Sequence, residues 1–220
     1  MLTALKDQYK GIRTIIWDWN GTLLNDVDVC IACMNSLLKA RNKPLLDHEN
    51  YLRIFTFPVR EYYVKAGFDF AEEPFEIPAH QFIDLYRQKV FDSPLHDGVK
   101  EVLSYLDSKG YIQITLSAME KRFLMQTMEG KGIIHFFRHI HGIDNHLGAG
   151  KSMAAKELMQ SSGYLPSETI IIGDTLHDAE IADELGICCI LVSNGHQSYE
   201  RLKGHGYPVI HCLQVLLTIF

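Results

Sequence analysis

Two short stretches carry acids where chemistry could be done. Ile15-Ile16-Trp17-Asp18-Trp19-Asn20-Gly21-Thr22 ends an apolar run on Asp18 and breaks at Asn20-Gly21. Ile170-Ile171-Ile172-Gly173-Asp174-Thr175-Leu176-His177-Asp178 ends a second apolar run on Asp174 and adds another acid four residues on. Each run reads as a buried strand stopping at a turn, with its acid at the strand's carboxyl end. Taken alone, Asp18 is equally a strand-terminating acid before an ordinary Asn-Gly turn. Asp174 falls in a strand-to-helix turn and Asp178 on the first turn of the next helix, so both can face one point. Three carboxylates converging on a crevice repel one another unless a hard cation joins them, and oxygen donors of this kind suit Mg²⁺.

Such acids need a scaffold that gathers strand ends. Further strands are expected over 111–117, 139–143, 169–173 and 187–193, alternating with helices ending at Lys109 and spanning 119–130, 151–162 and 178–185. That alternation implies an α/β, Rossmann-like parallel sheet core covered by helices on both faces, which collects ligands outside the carboxyl ends of its strands. Between the first and second strands the period changes. Val27, Cys30, Ile31, Met34, Leu37 and Leu38 recur at helical spacing, and more helices are expected over 47–55, 59–66 and 79–91. The expected division is a Rossmann-like core of residues 1–24 and 95–220 and an inserted helical segment, 25–94, with residues 1–11 as an amphipathic lead-in.

Composition narrows the function classes. A chain of 220 residues that is 47% hydrophobic can bury a substantial core. Its net charge of −6 and pI near 6.0 argue against nucleic acid or an anionic membrane as a general partner. No apolar run of about 18 residues suggests a membrane span, and Met1 to Lys10 lacks the apolar core of a secretion signal. The five cysteines form no disulfide framework, so a cytoplasmic location is expected. Cys30-Ile31-Ala32-Cys33 has redox or metal spacing but lies in a helical pattern without a second pair, and reads as core thiols. Gly150-Lys151-Ser152 is not a phosphate-binding P-loop, because Asn145 stands where that pattern needs glycine. His135, His139, His141 and His146 match no compact zinc spacing and are expected on surface and loops.

On these motifs the chain resembles the haloacid dehalogenase superfamily, in its phosphoglycolate phosphatase-like branch. Asp18-Trp19-Asn20-Gly21-Thr22-Leu23 is similar to the first motif, DxDGT(L/V), and Gly173 to Asp178 to the fourth, GDxxxD. Ser117, closing the run Ile112 to Leu116, is similar to the second motif, and Lys151 to the third; Val192 to Ser198 also looks like that branch. The resemblance implies a Mg²⁺-dependent phosphatase acting on a small phosphorylated metabolite, such as phosphoglycolate or a sugar phosphate, with residues 25–94 as a cap over the active site. It implies that Asp18 is the nucleophile, forming an aspartyl-phosphate, and that Mg²⁺ is held by Asp18, the Asn20 carbonyl, Asp174 and Asp178. Ser117 and the N–H groups of Gly21 and Ala118 would hold phosphoryl oxygens, and Lys151 would add positive charge.

The chain departs from the pattern at one position. Family phosphatases carry a second aspartate two residues after the nucleophile, as general acid and base; here it is Asn20. An amide cannot exchange a proton usefully near neutral pH, and losing such a group typically lowers the rate ~10²–10⁴-fold. Two other readings therefore stand beside the phosphatase. One is a phosphoryl-binding sensor or interaction module. The other is another superfamily hydrolase, such as a dehalogenase or a phosphonate-cleaving enzyme with Lys65 as its imine-forming lysine. Specificity is expected from the inserted segment, with Arg53, Phe57, Arg60 and Tyr62 as candidates because a cation there would suit an acidic metabolite.

Overall fold

The computed structural model describes residues 2–143 and 150–220. Its centre is a six-stranded sheet, every strand parallel, in the order β3-β2-β1-β4-β5-β6. The strands are β1 Thr14–Trp17, β2 Ile112–Glu120, β3 His139–Ile143, β4 Thr169–Gly173, β5 Cys188–Val192 and β6 Val209–Ile210. The central strands read as unbroken apolar runs because both of their faces are covered. Side chains alternate between two cores, with Ile15, Trp17, Ile170 and Ile172 in one and Ile16, Ile171, Cys189 and Leu191 in the other.

The helices follow from the same logic. After α1 (Leu2–Gln8), the insertion holds α2 (Val27–Ala40), α3 (His48–Ile54), α4 (Val59–Lys65) and α5 (Glu76–Lys89). Beyond it come α6 (Val99–Ser108), α7 (Lys121–Gly130), α8 (Lys151–Ser162) and α9 (Leu176–Leu185). Val102, Leu103 and Leu106 of α6 and Leu124 and Met128 of α7 join the first core, while Ala155 and Leu158 of α8 and Ile181 and Ala182 of α9 join the second. Where the chain leaves and re-enters the sheet layer, Leu24 bridges antiparallel to Leu95, and the Asn25 N–H donates to the Pro94 carbonyl at 2.8 Å. The two connections to the insertion therefore run side by side.

Some boundaries move. The helix expected from residue 119 begins at Lys121, because β2 runs on to Glu120 through a register shift against β3 between Leu116 and Glu120. Helix α9 begins at Leu176, two residues early, because Thr175 and Asp178 form a capping box. The helix expected over 79–91 starts at Glu76 and ends in a short 3₁₀ turn, Val90–Asp92. The chain finishes with short helices α10 (Tyr199–Leu202) and α11 (Leu216–Ile219) flanking β6. Cys30 and Cys33 are buried and unpaired in α2. His135 and His139 are exposed and His141 half-buried, while Asn145 and His146 lie outside the described residues. Among the described residues no helix is long and apolar enough to cross a membrane.

Candidate active site

The register of β1 sets the site. Trp17 pairs with Thr115 of β2 on one side and Ile172 of β4 on the other, so Asp18, Ser117 and Asp174 emerge together at the carboxyl edge. This is also where strand order reverses, between β1 and β4, the place where open α/β sheets bind ligands. The Asp18 N–H donates to the Ile172 carbonyl at 2.9 Å, and the chain then turns, with the Leu23 and Leu24 N–H groups on the Trp19 carbonyl at 3.0 and 2.9 Å. Gly21 permits this turn. Its φ is +77°, and a Cβ there would meet Asp174 Oδ2 at 2.3 Å and His196 Cδ2 at 2.5 Å.

Asp18, Asp174 and Asp178 are all buried, and one oxygen from each lies within 4.8 Å of the others. The Thr22 hydroxyl sits between two of them, 2.8 Å from Asp174 Oδ1 and 3.2 Å from Asp18 Oδ2. Lys151, opening α8, donates to Asp18 Oδ1 and, at 2.6 Å, to Asp178 Oδ1. The other Asp178 oxygen accepts from the Thr175 N–H at 3.1 Å and hydroxyl at 2.8 Å, so both of its oxygens are occupied within the protein. Asp174 Oδ2 accepts the His196 N–H at 2.5 Å.

Burial is the largest influence on these acids. It pushes Asp18 up to about 8 despite Lys151, with the charges of Asp178 and Asp174 adding to the rise. Asp174 is raised too, chiefly by burial and then by Asp178. Burial also acts to raise Asp178, but the Lys151 ammonium overcomes it and holds that carboxyl low. The crowded, hard-oxygen donor set of Asp18 and Asp174, with Asp178 beside them, fits a divalent cation such as Mg²⁺.

Around Asn20 lies a second cluster that the sequence did not reveal. The Asn20 amide donates to Asp26 Oδ2 at 2.9 Å and to the Tyr86 hydroxyl at 2.7 Å, and its oxygen accepts the Ser117 hydroxyl at 3.3 Å. Asp26 also accepts the Tyr86 hydroxyl at 2.5 Å and the Gly21 N–H at 2.9 Å, and lies 3.4 Å from His196 Nε2. The Tyr51 hydroxyl is 2.8 Å from His196 Nδ1. Burial would raise Asp26, but the His196 charge and the Tyr86 and Asn20 donors hold it low. Burial would likewise lower His196, but Asp26, with Asp174 and Asp18, lifts it to about 9. Although Asp26, Cys30 and His196 lie close enough to share a metal, the hydrogen bonds make Asp26 and His196 an internal ion pair. The only sequence signals were Asp26 just ahead of α2 and His196 in the stretch after β5.

A pH dependence follows for the metal-free protein. A group whose folded-state pKa lies above its unfolded value favours folding at low pH and stops doing so as pH rises through the folded value. Asp18, Asp174 and His196 all behave this way, the first toward about 8 and the last toward about 9. Lowered Asp26 and Asp178 act oppositely, losing their contribution as acid protonates them below the ordinary carboxyl range. The metal-free Tm is therefore expected to fall between pH 6 and pH 9, and the rise in Tm on adding Mg²⁺ to be larger at pH 8 than at pH 6. Calorimetric scans at both values, with Mg²⁺ and with chelator, check this.

The remaining candidates divide. Ala118, Phe57 and Tyr62 line a cavity of about 190 Å³ between the insertion and the sheet edge, along with Asp18, Asn20 and Lys151. Arg53 and Arg60 do not. Arg53 is exposed on α3 and donates to Asn50 at 2.5 Å, and Arg60 is exposed with its guanidinium 4.9 Å from the Phe70 ring centre. Both point to solvent because the rings of the same helices fill the inward face. Lys65 is exposed as well, so it is no imine-forming lysine at this cavity. Gly21 also departs from expectation, since its N–H is taken by Asp26 and the Leu24 carbonyl and is not offered to a ligand. His177 stacks on Phe57, ring centres 4.9 Å apart, and faces Glu180.

Comparison with known proteins speaks to the family and the fold. Residues 15–192 fit the sequence profile of the haloacid dehalogenase-like hydrolase family. The chain is 27% identical over 192 residues to the phosphoglycolate phosphatase of Caulobacter vibrioides, covering 83% of this chain and 80% of that one. It is 23% identical to a 5'-nucleotidase of Pseudomonas aeruginosa, covering 94% of each. Among solved structures, a haloacid dehalogenase-like hydrolase from Streptococcus pneumoniae superposes with a TM-score of 0.81 at 21% identity, over 96% of this chain and 100% of that one.

Proposed function

The chain belongs to the haloacid dehalogenase-like hydrolase family, and from that premise we propose that it is a Mg²⁺-dependent phosphatase of a small phosphorylated metabolite, with Asp18 as its nucleophile. The observation that carries this reading is the buried cluster of Asp18, Asp174 and Asp178 with Lys151 bonded to two of them. Held by Asp18 and Asp174, Mg²⁺ would supply positive charge that offsets repulsion between the anionic nucleophile and the phosphoryl group. The protein's own groups do the rest. Asp18 is fixed at the sheet edge by Lys151 and by its N–H on Ile172, which holds the carboxylate for in-line attack. Attack on phosphorus expels the leaving oxygen and forms an aspartyl-phosphate, and water then attacks that phosphorus and restores Asp18. The Ser117 hydroxyl, which here donates to Asn20, would turn to the phosphoryl oxygens together with the N–H of Ala118 on the cavity wall, and Lys151 adds charge as those oxygens become more negative. Residues 25–94 act as a cap, walling the crevice from solvent.

Asn20 favours a second reading, a phosphoryl-binding protein with little turnover. Neighbouring Asp26 does not replace the missing acid, because His196 and its donors hold it ionised. Phosphate release measured over a panel of esters with Mg²⁺ separates the two. Release that stops on chelation supports the phosphatase; phosphate binding with no release from any ester supports the binding protein. Asp174→Asn is expected to weaken Mg²⁺ affinity sharply and abolish release while the fold persists, since one buried charge is removed. Wild-type Mg²⁺ affinity and activity in that variant would show the cation site to be misplaced.

A further inference from the structure

The cavity over Asp18 is walled by rings. Phe55, Phe57, Tyr62, Phe82, Tyr86 and Phe123 line it, most of them from the insertion. The cations on this wall are already paired. Lys151 serves Asp18 and Asp178, His196 serves Asp26, and Arg87 serves Glu120 at 3.0 Å with its guanidinium 5.4 Å from the Phe123 ring centre. Among the described residues, the wall thus has no spare cation for a substrate carboxylate. The Tyr62 hydroxyl is buried with no hydrogen-bond partner among the described residues and presents no surface to the cavity, so Tyr62 offers the cavity its ring.

A separate observation leads to the same substrate class. Asn20 cannot protonate a leaving oxygen, and an alkoxide is a poor leaving group without a proton. A phenol, with a pKa of about 10, leaves as its anion far more readily than an alcohol near the value of water, about 15.7. Rings also fill a ring-lined cavity well, edge to face or offset.

We propose that the substrate is an aryl phosphate, the phosphate monoester of a phenol whose uncharged ring fills this cavity. This rests on the phosphatase reading above and names its substrate class. In the first step an Asp18 oxygen forms the new bond to phosphorus, and the bond from phosphorus to the aryl oxygen breaks. The phenolate takes the electron pair and gains its proton from solvent. Water then attacks phosphorus, releasing inorganic phosphate and the Asp18 carboxylate. One water is consumed per ester, and no redox partner is needed.

The test compares kcat/KM for phenyl and 2-naphthyl phosphate with that for phosphoglycolate and acetyl phosphate. Acetyl phosphate has an acidic leaving group but no ring, so it separates ring recognition from leaving-group chemistry. The aryl esters are expected to exceed phosphoglycolate by about 10²-fold or more and acetyl phosphate by about tenfold. Phe82→Ala and, separately, Phe57→Ala should each lower the aryl values about tenfold relative to the value for acetyl phosphate. Phosphoglycolate matching the aryl esters, or phenylalanine variants that slow every ester alike, would overturn the proposal. If no ester is turned over, the phosphatase reading fails but the cavity can still be tested by calorimetry with Mg²⁺. Tighter binding of 2-naphthylphosphonate than of phosphonoacetate supports the ring site, and equal or weaker binding rejects it.

Discussion

Asn20→Asp is expected to raise phosphate release from alkyl phosphates by about 10²- to 10⁴-fold, the usual contribution of a positioned general acid and base. Its setting supplies the physical ground for the gain. The Asn20 side chain lies 2.9 Å from Asp26 Oδ2 and 2.7 Å from the Tyr86 hydroxyl. A carboxyl placed there would face the ionised Asp26, and two acids so close hold a proton between them into the neutral range. That is the state a proton donor needs. Aryl and acyl phosphates should gain much less in the first step, because their leaving groups depart without protonation. Asn20-Gly21 is also a deamidation-prone pair, so intact mass must accompany each rate measurement. Equal rates on alkyl esters for fresh wild-type protein and Asn20→Asp would mean that another group supplies the proton.

Lys151→Met should be the most damaging single change to stability, and it should slow the reaction as well. The ammonium is buried between Asp18 and Asp178 and carries hydrogen bonds to each. Removing it leaves two buried carboxyls without their cation, and breaking a buried pair in this way costs about 3–5 kcal/mol. Loss of one charge aimed at the phosphoryl group should lower kcat by about 10²–10³-fold as well. Without Lys151, Asp18 would also be harder to ionise, so any remaining activity should shift to higher pH. Urea unfolding and a pH–rate profile check both parts. Unchanged unfolding with unchanged kcat would place Lys151 outside the site.

Much of this was legible because the site is built at strand ends. Asp18 and Asp174 follow apolar runs that read as buried strands, Lys151 opens a helix, and Asp178 lies in the first turn of another. The sheet order that makes β1 and β4 neighbours was not legible, since it depends on packing between distant segments. For the same reason the cluster of Asp26, Tyr86 and His196 was missed. Asp26 stands just ahead of α2 with nothing nearby in sequence to mark it, and its partners lie 60 and 170 positions away. Arg53 and Arg60 were chosen for their charge, but residue type does not say which face of a short helix turns inward. There Tyr51 and Tyr62 took the buried side and left both arginines in solvent. The start of α7 was misjudged because a bulged strand looks, in sequence, like a strand that has ended.

Nucleophilic attack by Asp18 is tested most directly by trapping its product. The protein is mixed with Mg²⁺ and phenyl or acetyl phosphate, quenched in acid within the first turnover, and its peptides are mapped by mass spectrometry. One phosphoryl group is expected on the peptide bearing Asp18, building up because Asn20 gives the attacking water no base, and none is expected in Asp18→Asn. Sustained phosphate release by Asp18→Asn, or a phosphoryl group on a different residue, would contradict it.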